Sequence, residues 1–161
     1  MAETRDLHSS ILGLLIDSAN KLQILGDRYF RSTGLTTKQW YLCVLLEQFG
    51  EYAPTLGEMA KEMGSSYQNV KQIALKLEKK GLLRIEKDVQ DNRKLRLFVP
   101  ETNQKYWEAR EEKDAEFIAM IFQGWSKDEV ASIFLNLQKL HESIVTLKHT
   151  KVKKKRNEKS K

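Results

Sequence analysis

Apolar residues recur at helical spacings along most of this chain, with one short interval of strict alternation. From about residue 5 to residue 31, Leu7, Ile11, Leu14, Leu15, Ser18, Leu22, Leu25 and Tyr29 make a row at steps of three and four, with Ile16 and Ile24 off it. Apolar residues on more than one side predict a helix buried against more than one partner. Thr36 with Gln39 predicts a capping box opening a helix from Thr37 to Phe49, nearly solid apolar from Trp40 to Leu46 and broken by Gly50 to Pro54. Thr55 with Glu58 predicts another, followed by the stripe Leu56, Met59, Ala60, Met63 and a stop at Gly64. Ser65 and Ser66 can cap a further helix that buries Val70, Ile73, Ala74 and Leu77 and ends at Gly81. Leu83 and Ile85 then alternate with Arg84 and Glu86, and Leu95, Leu97 and Val99 with Lys94, Arg96 and Phe98. These are two strands around a polar turn, Asp88 to Lys94, marked by Asp91-Asn92. After Pro100 a helix to about Gly124 carries Tyr106, Trp107, Phe117, Ile118, Ile121 and Phe122 among charges. Ser126 with Glu129 caps a last helix, whose row Val130, Ile133, Phe134, Leu137, Leu140, Ile144, Leu147 runs to about Thr150.

Two short amphipathic helices meeting at Gly64-Ser65-Ser66 form a helix-turn-helix pattern, and a charged hairpin behind it makes a winged helix. In such a unit the second helix enters the major groove. Opposite its buried stripe that helix carries Gln68, Gln72, Leu75, Lys76 and Lys79, flanked by Asn69 and Lys71. Amide side chains pair bidentately with adenine, and lysine reaches guanine or phosphate. On an isolated helix the same residues would be an ordinary solvated face; the turn before and the hairpin after favour DNA. Gln68, Asn69, Lys71 and Gln72 are therefore candidates for base or groove contact, and Lys76 for phosphate. Ser65 and Ser66 either donate to phosphate or only cap. Arg93 and Lys94, near the hairpin tip, are placed to enter a narrow minor groove. Asp91 would repel DNA, so its role is to orient Arg93 or hold the turn. Leu75 has two open readings: packing under the wing, or meeting a thymine methyl.

Charge supports a polyanionic partner. Residues 151–161 hold seven basic residues and one acid, a net of +6, so the preceding 150 residues are neutral overall. Within them, residues 55–99 carry ten basic and six acidic residues, or +4, while residues 101–149 carry six and nine, or −3. Residues 151–161, with one hydrophobe, are expected to be a disordered basic tail, either adding attraction to phosphates or only solubilising. The lone Cys43, among Tyr41, Leu42, Val44 and Leu45, reads as a buried structural thiol and excludes an intramolecular disulfide framework. His8, His141 and His149 are too scattered for a metal site. With no phosphate loop, nucleophile elbow or ligand cluster, neither an enzyme nor a cofactor is expected. No apolar run reaches membrane-spanning length and no leader-like cleavage site follows residues 11–16, so a cytoplasmic protein is expected.

The run LEKKGLLRIEKDVQDNRKLRLFVPET, residues 77–102, resembles the signature of the MarR family of bacterial transcription regulators. In that family a Leu-Glu-basic-basic-Gly-Leu run closes the recognition helix and an Asp-x-Arg pair marks the wing, matched here by Asp91 and Arg93. The likeness extends in helix order over about residues 7–147. The chain departs from the pattern at Pro100-Glu101-Thr102-Asn103, where the family more often has Leu-Thr followed shortly by Gly, which leaves open where the next helix starts. The resemblance implies a homodimeric, sequence-specific repressor on a pseudo-palindromic operator of double-stranded DNA. It also implies release by a small aromatic effector in an apolar pocket, for which His8, Tyr29, Phe30, Trp40 and Tyr41 are candidates; core packing is the ordinary role of each.

The expected fold is mainly α, a winged helix-turn-helix with a two-stranded β-wing. Residues 35–100 form the DNA-binding domain, and residues 1–34 and 101–150 a helical dimerisation region. The end helices carry more apolar surface than one small winged helix covers, which favours a homodimer over a monomer. The competing function is a winged helix that binds protein instead of DNA. It needs an apolar or acidic face on the second helix, and only Leu75 points that way.

Overall fold

The computed structural model describes residues 2–158. Six helices and one hairpin follow in the expected order: α1 (Ala2–Tyr29), α2 (Thr37–Gln48), α3 (Leu56–Glu62), α4 (Tyr67–Lys79), strands β1 (Arg84–Lys87) and β2 (Leu95–Phe98), α5 (Gln104–Ile121) and α6 (Lys127–Glu158). Single 3-10 turns cover Phe30–Thr33 and Glu101–Asn103. One compact unit ends at Arg110 and a second begins at Glu111, inside α5.

The first unit has a small, dense core. Leu42, Cys43, Leu45 and Leu46 from α2, Leu56, Met59 and Ala60 from α3, and Val70, Ile73, Ala74 and Leu77 from α4 are all buried, with Leu82, Leu83 and Leu97. The predicted stripes of α3 and α4 are thus the faces that fold inward, Met63 alone being only partly covered. Within α2 the apolar run is interrupted outward, because Tyr41 faces solvent.

The helix starts follow from local hydrogen bonding. The Thr36 and Thr55 hydroxyls accept from the Gln39 and Glu58 amides, and those side chains reach back to the threonine amides. Ser126 and Glu129 form the same reciprocal pair at the start of α6. Between α3 and α4, Gly64 takes φ of +57°, which an L side chain rarely adopts, and the Ser65 amide then donates to the Ala60 carbonyl at 2.9 Å. Where α1 meets α2, the Thr37 hydroxyl donates to the Gln23 carbonyl at 2.9 Å and its amide to Asp27 Oδ1 at 2.7 Å. A Cβ at Gly26 would overlap that hydroxyl, so the close approach requires glycine.

β1 and β2 pair antiparallel with Arg84 opposite Phe98 and Lys87 opposite Leu95. The segment before α3 adds a third edge: Thr55 bridges Arg96, and the Leu97 amide donates to the Pro54 carbonyl at 2.9 Å. The wing is therefore hydrogen-bonded to the helix-turn-helix by its backbone.

At the C-terminal end the structure differs from the sequence expectation. Helix α6 continues to Glu158, through most of the segment predicted to be disordered. Lysine, arginine and glutamate are good helix formers, and no Gly or Pro follows Gly124, so the local sequence permits a helix there despite its low hydrophobicity. The last three residues of that predicted tail, 159–161, lie outside the described residues.

Candidate nucleic-acid interface

Helix α4 presents its polar side to solvent along its length. Gln68, Asn69, Gln72, Lys76 and Lys79 are exposed and Lys71 is half-buried. Leu75, in the middle of that face, is 40% exposed, which removes packing under the wing as its role. Tyr67, the first residue of α4, is also exposed, and nothing in the sequence singles it out.

The two serines divide their duties. Ser66 Oγ accepts from the Asn69 amide at 3.2 Å and is the cap of α4. Ser65 Oγ accepts from the Asn69 side-chain amide at 2.8 Å, holding that side chain back over the turn. Both hydroxyl protons remain available to a phosphate oxygen.

At the wing tip the Arg93 side chain is 94% exposed, its Nε 3.3 Å from Asp91 Oδ1; Lys94 Nζ lies 3.6 Å from Asp91 Oδ2. Asp91 thus pairs with both cations of the tip. The turn itself is built on Asp88, only 4% exposed, whose Oδ1 accepts from the Gln90 and Asp91 amides at 2.9 and 2.7 Å. The Asp91 amide, followed by Arg96, holds the Asp88 carboxyl below its usual range. Asp88 was unassigned from sequence, although an Asp two and three residues before acceptor-hungry amides is a known turn former.

The effector candidates do not all meet. Phe30 is buried and stacks on Trp40 with centroids 5.2 Å apart, and Tyr29 meets it edge-on at 5.6 Å. Arg110, buried, lies over the Phe30, Tyr106 and Trp107 rings at 5.3, 5.8 and 6.0 Å. His8 and Tyr41 stand apart from that cluster in the single chain. His8 is exposed on α1 about twenty residues before Tyr29, roughly 30 Å at 1.5 Å per residue. Tyr41, one step from Trp40, turns about 100° away on the same helix and faces solvent. Cys43 is buried in α2. Among the described residues no group of three or more His, Cys, Asp or Glu gathers, and no helix is long and apolar enough to cross a membrane.

Neither a protein-family model nor a curated protein sequence matches the chain. Solved structures do. AbfR of Staphylococcus epidermidis superposes with a TM-score of 0.74 at 18% identity, over 89% of this chain and 97% of that one. A MarR protein from Peptoclostridium difficile gives 0.73 at 16%, over 83% and 86%. The S. aureus MepR–DNA complex gives 0.69 at 22%, over 81% and 95%. The fold is that of the MarR-type winged helix.

Proposed function

We propose that this chain is a sequence-specific, double-stranded DNA-binding transcriptional regulator acting as a homodimer. The observation that carries the reading is the solvent-facing side of α4, where Gln68, Gln72, Lys76 and Lys79 stand beside a wing whose tip holds Arg93 out. That pairing suits a helix in the major groove and a guanidinium in the neighbouring minor groove. MepR and AbfR, which share the fold, have been solved bound to DNA. Gln68, Asn69, Lys71 and Gln72 contact bases or groove walls; Ser65, Ser66 and Lys76 hold phosphate; Leu75 meets a thymine methyl; Arg93 and Lys94 enter the minor groove.

Exposed apolar rows support the dimer. Leu7, Ile11, Leu14, Leu22 and Leu25 on α1, and Phe134, Leu137, Ile144 and Leu147 on α6, are all open to water in a single chain. A second copy covering these rows places two α4 helices about one DNA turn, ~34 Å, apart, on the half-sites of a pseudo-palindrome. The protein is read as a repressor, released when a small aromatic molecule enters the Tyr29, Phe30 and Trp40 cluster. Selecting bound fragments from a random duplex pool tests the reading: an inverted repeat with half-sites one turn apart supports it, and a pool that never enriches refutes it.

A further inference from the structure

One cation of the wing is turned away from solvent. Arg96, on β2, stands opposite Glu86 in the sheet register, yet Glu86 pairs with Arg84 at 2.6 Å. The Arg96 guanidinium reaches the other way. Its Nε donates to Asp88 Oδ2 and its Nη1 to the Ala53 carbonyl at 2.5 Å, and its Cζ lies over the Tyr52 ring, 5.3 Å from the centroid. Each neighbour leads further. Tyr52 Oη donates to Glu58 Oε1 at 2.9 Å, and Glu58 closes the cap of α3 through the Thr55 amide at 2.7 Å. On the other side, Asp88 organises the turn that carries Asp91 and Arg93.

A continuous path of polar contacts therefore runs from the first turn of the helix-turn-helix to the wing tip, with Arg96 at its centre. A guanidinium suits the place because its planar fork can serve a carboxylate, a carbonyl and an aromatic face together, which a lysine ammonium cannot. Tyr52 first and Asp88 next hold Arg96 in its charged form.

We infer that Arg96 is a positioning residue for DNA binding: it sets the wing against α3, and so fixes where Arg93 stands relative to the reading face of α4. This rests on the DNA-binding reading above. It assigns Arg96 no phosphate of its own.

A double-mutant cycle on duplex affinity separates positioning from a direct contact or from mere stability. Arg93→Ala, Arg96→Gln and the double variant are titrated with a duplex selected by the wild type, at several salt concentrations. Each single variant is expected to lose affinity by roughly tenfold and to lower the log–log salt slope by about one unit, the share of one phosphate. The double variant is expected to bind within about twofold of Arg96→Gln, with no further fall in slope. Losses that multiply, or an Arg96→Gln protein that binds like the wild type, overturn the inference. A wild type that binds no duplex at low salt removes the DNA-binding reading itself, a separate outcome. Should Arg96→Gln not fold, Tyr52→Leu, an exposed position on the same path, enters the cycle in its place with the same two expectations and the same grounds for rejection.

Discussion

Lys80 joins the end of α4 to the junction between α1 and α2: its ammonium donates to the Gly34 carbonyl and lies 3.3 Å from Gln39 Oε1. Asn103 grips the next residue, donating to the Gly81 carbonyl at 2.5 Å. The C-terminal end of α4 is thus held from two sides by residues distant in sequence. Lys80→Met removes a charge-assisted bond while keeping the aliphatic stem. It is expected to lower stability by about 1 kcal/mol, read as a shift of the urea midpoint at unchanged slope.

The reading face makes two separable predictions. Arg93→Ala, at the wing tip, is expected to weaken binding to all duplexes alike. Gln72→Ala, in the middle of the exposed side of α4, is expected to relax preference at one base pair of each half-site, a change of about 1–3 kcal/mol in discrimination. Mobility shifts against a panel of single-base variants read both, and two variants indistinguishable from wild type would contradict these roles.

Much of this architecture was legible beforehand. Capping boxes at Thr36, Thr55 and Ser126 marked helix starts, because they are local bonds that need only residue type and spacing. The stripe from Val70 to Leu77 identified the buried side of α4, and so by exclusion its exposed side. What escaped were contacts between residues far apart in the chain. Nothing in the sequence joins Arg96 to Ala53 or Lys80 to Gly34, and the burial of Asp88 depends on a hairpin geometry that alternation does not specify. Two of the five pocket candidates stand apart from the other three for a similar reason. Tyr41 and Trp40 are neighbours in sequence but point about 100° apart on a helix, and His8 is separated from Tyr29 by most of α1.

Acid is expected to loosen the winged helix at its caps. The Thr55 amide first, with the Thr55 and Tyr52 hydroxyls, draws the Glu58 carboxyl below its usual 4.5, and Asp88 is drawn below its usual 3.8. A folded-state value below the unfolded one means the unfolded chain binds protons more readily. The stabilisation is therefore complete above about pH 5 and is lost as pH falls toward the lowered values. Urea midpoints measured from pH 6 to pH 3 should fall, and Glu58→Gln, which can still cap, should flatten that slope.

A charge placed on the open row of α1 tests the dimer. Leu14→Glu is expected to convert a particle of twice 18.8 kDa into one of that mass in sedimentation. Its affinity for a full palindrome should fall far more than its affinity for a half-site. A wild type that sediments as a monomer at micromolar concentration would count against the two-fold arrangement.

Removing residues 151–161 takes away a net charge of +6. The truncated protein is expected to keep its sequence preference and to show a shallower dependence of affinity on salt. An unchanged slope would leave those residues no part in binding.

The most direct test of the central claim is a fluorescence-anisotropy titration of the wild type and of Gln68→Ala/Gln72→Ala, each with the selected duplex and a scrambled one, at two salt concentrations. The account predicts that the wild type prefers the selected duplex at both salts, and that the double variant binds the two duplexes alike while keeping the wild-type salt response. A double variant that still discriminates as the wild type does would show that the exposed side of α4 is not what reads the sequence.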